Sequence, residues 1–192
     1  SVLIEEFLYG TEYRFFVLHD KVQAVLLRVP ANVKGDGKHT IEELVIEKNR
    51  DPLRGKDHRT PLETIQLGDL EKLMLKGQGY QMNSIPKNGE IVYLRENSNV
   101  STGGDSIDVT DQIPDDYKKI AVDAVSALGA KISGIDLIIE NIEVPAANKN
   151  AYGIIEANFN PSMYMHIYPY KGESRRLTMH IIHFLFPELL QS

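Results

Sequence analysis

Two apolar segments in the last third of the chain carry acids where a core strand is otherwise aliphatic. They are Ile135-Asp136-Leu137-Ile138-Ile139 and Gly153-Ile154-Ile155-Glu156-Ala157-Asn158-Phe159-Asn160-Pro161. Side chains alternate along a strand, which puts Ile154, Glu156 and Asn158 on one face and Ile155, Ala157 and Phe159 on the other. A carboxylate in an apolar layer is costly without a cation, a donor set or water beside it. If the two segments are neighbouring strands, Asp136, Glu156 and Asn158 offer only oxygen ligands. That is the preference of a hard divalent cation such as Mg²⁺, which usually also holds substrate phosphates. The alternative is that each acid sits at a strand end, solvated or paired with Lys or Arg.

A second set of polar groups is Arg95-Glu96-Asn97-Ser98-Asn99-Val100-Ser101-Thr102-Gly103-Gly104. An arginine at a strand end followed by amides, hydroxyls and paired glycines offers donors for a phosphate or carboxylate, and its plain alternative is a solvated loop. Gly35-Asp36-Gly37-Lys38-His39-Thr40 looks superficially like a phosphate loop. It fails the Walker pattern, because Asn32 stands where the first glycine belongs and His39 separates Lys38 from Thr40. Arg14 and Arg28 are charges inside strand patterns, for which edge exposure is the usual explanation. The six histidines show no ligand spacing, and the absence of cysteine excludes a disulfide framework, a thiol nucleophile and thiolate metal sites.

The elements that must position these groups follow from periodicity and punctuation. Residues 2–8, 12–18 and 22–29 read as a meander of antiparallel strands joined at Gly10 and at His19-Asp20-Lys21. A loop over 30–39 leads to Thr40-Ile41-Glu42-Glu43, whose capping-box spacing starts a short helix with Ile41, Leu44 and Val45 inward. Another helix is expected near 68–76 with Leu70, Leu73 and Met74 as its apolar stripe. Ile91-Val92-Tyr93-Leu94-Arg95 reads as a strand, and 96–111 as a polar stretch without regular structure. Asp115-Asp116 open a helix whose stripe is Tyr117, Ile120, Ala121, Ala124, Val125 and Leu128, stopped by Gly129. A last helix over 174–186 is expected to bury Leu177, Ile181, Phe184 and Leu185. Irregular alternation of strands and helices, with few βαβ units, argues for an α+β fold of antiparallel sheet packed with helices.

Composition sets outer bounds. The 192 residues are 42% hydrophobic and 25% charged, normal for a folded domain. A formal net charge of −6 disfavours nonspecific nucleic-acid binding. No apolar run is long enough to cross a bilayer, and the first residues lack the basic and apolar regions of a signal peptide, so a cytoplasmic location is expected. The chain opens directly in a strand pattern, as if cut from something larger.

Taken together the segments resemble the second half of an ATP-grasp ligase, the enzymes that join a carboxylate to an amine through an acyl-phosphate made from ATP. Glu5-Glu6-Phe7-Leu8 with Gly10-Thr11-Glu12 looks like that family's hinge, and Asp136 with Glu156-Ala157-Asn158 and Pro161 looks like its Mg²⁺-binding set. Narrower blocks are Arg28-Val29-Pro30-Ala31-Asn32-Val33, Gly35 to Thr40, Asp51-Pro52-Leu53-Arg54-Gly55 and Asn99 to Asp108. They are shared by cyanophycin synthetases and by the glutathione synthetase modules of bifunctional glutathione-biosynthesis ligases. Gly10 to Leu18, and Ser162-Met163 where cyanophycin synthetases usually carry glycine after the proline, favour the second group.

The resemblance implies ATP and Mg²⁺, with Mn²⁺ as a substitute, and γ-glutamylcysteine and glycine as substrates. It implies metal ligands at Asp136, Glu156 and Asn158, a nucleoside seat at Glu5, Glu6, Leu8 and Glu12 with Arg14 assisting, and acyl-phosphate or substrate contacts from Arg95, Asn97, Asn99 and Arg28. It also implies that residues 1–192 are the C-terminal part of the ATP-grasp domain. The upstream ATP-grasp subdomain and a glutamate–cysteine ligase domain would then lie elsewhere in the same polypeptide, and this piece alone would be inactive. The other readings are a cyanophycin synthetase-like peptide ligase, a noncatalytic nucleotide-binding module, and a structural α+β domain whose acids are surface pairs.

Overall fold

The structure is a computed structural model that describes residues 2, 6–57 and 59–188. The elements run β1 (Thr11–Leu18), β2 (Lys21–Val29), β3 (Asn32–Lys34), α1 (Ile41–Lys48), β4 (Arg54–Gly55), β5 (Leu62–Glu63), α2 (Asp69–Gly77) and β6 (Ile91–Tyr93). They continue with β7 (Asp105–Asp108), α3 (Asp115–Ala127), β8 (Ile132–Ile139), β9 (Tyr152–Asn158), α4 (Tyr164–Ile167) and α5 (Leu177–Leu185). The chain divides into two compact units.

The first unit gathers the described residues of Ser1–Leu27, Asp108–Ile167 and Glu173–Ser192. Its sheet places β2, β1, β8 and β9 side by side, with β1 antiparallel to β2 and β8 and β8 antiparallel to β9. β1 pairs Glu12 with Ile138, Arg14 with Asp136 and Phe16 with Gly134. Alternation puts Glu12, Arg14 and Phe16 on one face and Tyr13, Phe15 and Val17 on the other. Helix α3 covers the second face, with Tyr117 buried and edge-on to Tyr152, the cross-strand partner of Ile139. On the first face, Phe16, Ala24 and Leu177 form a core patch with Ile132, Met163, Ile167 and Ile181 around it. Full burial of Phe16 and Leu177 is worth about 1.5–3 kcal/mol each.

The second unit is Arg28–Ile107 with Tyr168–Gly172. Helix α1 begins as expected: Glu43 N donates to Thr40 Oγ1, and the Glu43 carboxylate accepts from Thr40 N at 2.8 Å. Ile41 and Val45 enter a core with Ala31, Val33, Ile65, Leu75, Val92 and Leu94. Ahead of the helix, the Asp36 carboxylate accepts from the backbone of Lys38 and His39, both at 2.8 Å, which closes Gly35 to Thr40 as a local turn.

Several expectations are corrected. The described residues of 2–8 are not in a strand, whereas Asn32–Lys34 is one inside the expected loop. The polar stretch 96–111 contains a 3₁₀ turn and β7, with Asp105 and Ser106 buried, because sequence-distant partners satisfy them. In α2 the inward residues are Glu71 and Leu75, while Leu70 and Leu73 are exposed. Glu71 is held inward by Gly68 N at 2.8 Å and by Arg95 Nε at 2.5 Å. Leu128 and Leu185 are also exposed, each at the C-terminal end of its helix.

Candidate functional site

The acid row is built by register. Arg14 on β1 opposes Asp136 on β8, and Asp136 opposes Glu156 on β9, so three strands place their side chains in line across one face. Asn158 follows two residues after Glu156 and shares that face. The register then shifts between Asp136 and Leu137, where Leu137 meets Ile154 and Ile155 is the extra residue. Ile154 therefore lies on the side of Leu137, opposite Glu156, and the single-face expectation holds only for Glu156 and Asn158.

Arg14 and Asp136 form a buried bidentate pair. Arg14 Nη2 donates to Asp136 Oδ2 at 2.7 Å, and Arg14 Nε donates to Oδ1. Their side chains are 8% and 1% exposed, against 56% for Glu156, whose Oε1 lies 3.6 Å from Arg14 Nη2. The edge-exposure explanation for Arg14 is thus overturned, since β1 lies between β2 and β8 and the cross-strand carboxylate neutralises the cation. Asn158 Nδ2 donates to Glu156 Oε1 at 2.9 Å. Gly134 makes room for the guanidinium: a Cβ there would stand 3.2 Å from Arg14 Cδ and Nη1 and 3.0 Å from Pro161 Cβ.

The donor set suits the implied cation. Two carboxylates and an amide converge on one face, and Glu156 is open to approach. Among the described residues no group of three or more His, Cys, Asp and Glu comes together. Glu12 stands on the same face of β1, opposite Ile138. Before it, Leu8 lies over Gly153 of β9, and Glu6 is exposed beside Phe7, whose ring meets Tyr9 edge-on at 4.8 Å. Glu5 lies outside the described residues.

The remaining candidates belong to the second unit. Arg28 is buried, again contrary to edge exposure, and Nη2 donates to Asn99 Oδ1. Asn97 Oδ1 accepts from Thr102 Oγ1 at 2.7 Å, which braces the loop. Gly103 closes that loop at φ +92°, where a Cβ would stand 2.8 Å from Ile65 Cα. Arg95 is anchored on Glu71. Sequence reasoning missed a buried cluster beneath them: Asp105 accepts from Arg54, from Lys48 Nζ at 2.7 Å and from Asn32 Nδ2 at 3.0 Å. Burial pushes the Lys48 ammonium down against the pull of Asp105. The Tyr170 ring stacks within 5.3 Å of Lys48 Nζ and 5.4 Å of the Arg54 guanidinium carbon. Charge patterning gave no signal for this cluster, because its members are spread over more than a hundred residues.

Also unforeseen is His166 on α4. It is fully buried, and neither ring nitrogen has a hydrogen-bond partner among the described residues. Burial, with Arg14 beside it, pushes its pKa down to about 3.

No family model matches the chain. A protein of Enterococcus faecalis described as glutathione biosynthesis bifunctional protein GshAB is 67% identical over 192 residues, covering 100% of this chain and 25% of that protein. The protein of the same description from Mannheimia succiniciproducens is 56% identical, covering 99% of this chain and 25% of its own length. The crystal structure of a bifunctional glutathione synthetase from Pasteurella multocida superposes with a TM-score of 0.87 at 57% identity, over 95% of this chain and 25% of that one. The fold is therefore the expected α+β architecture of that ATP-grasp synthetase segment. The chain is a homologue of the bifunctional glutathione biosynthesis proteins over the quarter of their length that it spans.

Proposed function

We propose that this chain supplies the cation- and nucleotide-facing part of a glutathione synthetase, an ATP-dependent carboxylate–amine ligase that joins γ-glutamylcysteine to glycine. The observation that carries this reading is the cross-strand row Arg14, Asp136 and Glu156 with Asn158 alongside, on the face that also bears Glu12. Asp136, Glu156 and Asn158 would hold Mg²⁺, or Mn²⁺ in its place. The ion would offset the charge that develops on phosphate oxygens during acyl-phosphate formation. Arg14 fixes Asp136 in place. Glu12 accepts the ribose hydroxyls, with Glu5, Glu6 and Leu8 seating the nucleoside. Arg28, Asn97, Asn99 and Arg95 present donors to a carboxylate or phosphate.

The names of the relatives support this reading over a cyanophycin-type ligase or a noncatalytic module. The working enzyme is, in this proposal, a longer cytoplasmic polypeptide that also carries the upstream ATP-grasp half and a glutamate–cysteine ligase domain. The 192-residue chain alone would then lack turnover, because positioning by the missing half supplies much of such a rate. The test is to exchange this chain for the corresponding quarter of the Enterococcus faecalis protein and assay with γ-glutamylcysteine, glycine, ATP and Mg²⁺. Glycine-dependent glutathione formation is expected. Extension of an Asp–Arg polymer instead, or turnover by the isolated chain at the rate of the exchange protein, would overturn the reading.

A further inference from the structure

Buried polar groups in folded proteins nearly always have partners, so two bare nitrogens on one fully buried ring need a reason. His166 is edge-on to Phe16, with ring centroids 5.6 Å apart. Phe16 opposes Gly134 across the β1–β8 ladder, and the Arg14 side chain leans over Gly134, within 3.2 Å of its missing Cβ. On this face the guanidinium has Asp136, the Glu156 carboxylate 3.6 Å from Nη2, and the His166 ring near it. Asp136 is engaged, and His166 is not.

A divalent cation at Asp136, Glu156 and Asn158 changes that balance. Arg14 now grips both Asp136 oxygens, and a guanidinium and a dication bound to one carboxylate repel each other strongly in a buried site. That repulsion favours the arrangement in which Arg14 gives up one oxygen to the ion. Being buried itself, Arg14 then needs a replacement acceptor. We propose that His166 is a positioning residue for cation binding: its neutral ring accepts the Arg14 guanidinium that the cation displaces from Asp136. Among the described residues the charged groups acting on this ring are Arg14 and Asp108, and Asp108 is already held by Arg175 at 2.5 Å and by Thr110 at 2.6 Å. With Glu156 taken up by the same cation, His166 is the acceptor left with spare capacity. This inference rests on the cation reading above.

The test uses the 192-residue chain and Mn²⁺ alone, titrated by electron paramagnetic resonance, with a thermal melt alongside. His166→Phe keeps the ring on Phe16 and removes the acceptor. It is expected to melt no lower than the parent and to bind Mn²⁺ about tenfold more weakly, a loss of about 1.4 kcal/mol. His166→Gln, which restores an acceptor oxygen, should recover most of that affinity. In the parent, one ¹⁵N resonance of the His166 ring should move upfield on adding Mg²⁺, a readout that needs no variant. Unchanged Mn²⁺ affinity in folded His166→Phe, or an unmoved ring resonance in a parent that binds, overturns the role of His166 alone. No binding by the parent overturns the cation reading and this inference with it.

Discussion

Asp136 and Glu156 share one row of the sheet and one chemistry, and differ in burial, so their amide variants should separate cleanly. Asp136→Asn keeps size and one acceptor oxygen but leaves the Arg14 guanidinium buried without its full counter-charge. Breaking a buried pair by removing one partner costs about 3–5 kcal/mol. The Glu156 carboxylate, 3.6 Å from Arg14 Nη2, remains as a partial substitute, which places the loss near about 3 kcal/mol. Glu156→Gln alters a carboxylate that is 56% exposed, and exposed pairs are worth about 0–1 kcal/mol. For a chain of this size 1 kcal/mol moves Tm by about 2–4 °C, so Asp136→Asn should melt about 6–12 °C lower and Glu156→Gln less than about 4 °C lower. Urea unfolding followed by far-ultraviolet circular dichroism and by tyrosine fluorescence, the chain having no tryptophan, gives the two losses directly. Replacing both partners, Arg14→Met with Asp136→Leu, should cost less than Asp136→Asn alone, since no buried charge is then left behind. Equal losses for the two single variants would refute the reasoning, because burial would not then decide the cost of removing each acid.

His166 predicts a pH signature. Its folded pKa is lowered to about 3 while the unfolded ring titrates near 6.5, so between those values the unfolded chain binds the extra proton and stability falls as pH falls. His166→Phe should remove up to about 1.4 kcal/mol per pH unit of that slope, read by urea unfolding at pH 4, 5 and 6; identical slopes in parent and variant would contradict the buried neutral ring. Arg95→Met strands a buried Glu71 carboxylate that, among the described residues, keeps Gly68 N, and should cost about 2 kcal/mol; a loss under about 0.5 kcal/mol would show that the Arg95–Glu71 contact does not hold α2.

The parts of this fold that could be read from sequence are those set by local period or local hydrogen bonds. The Thr40–Glu43 capping box, the β1–β2 hairpin and the α3 stripe are of that kind, since each depends on residues within a few positions of one another. The Glu156–Asn158 face followed from the two-residue period, and the extra Ile155 did not, because a register shift is a property of the pair of strands. Burial of Glu71 in place of Leu70 was hidden for a related reason: its partner Arg95 is 24 residues away, and hydrophobicity alone puts leucine inside. Asp105 falls in a polar stretch that reads as lacking regular structure, because Lys48 and Arg54, which make its burial tolerable, lie more than fifty residues earlier. His166 had no spacing to mark it at all.

The most direct measurement is steady-state turnover against Mg²⁺ concentration for Glu156→Gln in the exchange protein, with a melt as folding control. Glu156 is half-exposed, so its amide should fold like the parent and lose nearly all glutathione formation if it holds the cation against ATP phosphates. A folded variant with parent-like turnover and unchanged Mg²⁺ dependence would contradict the account.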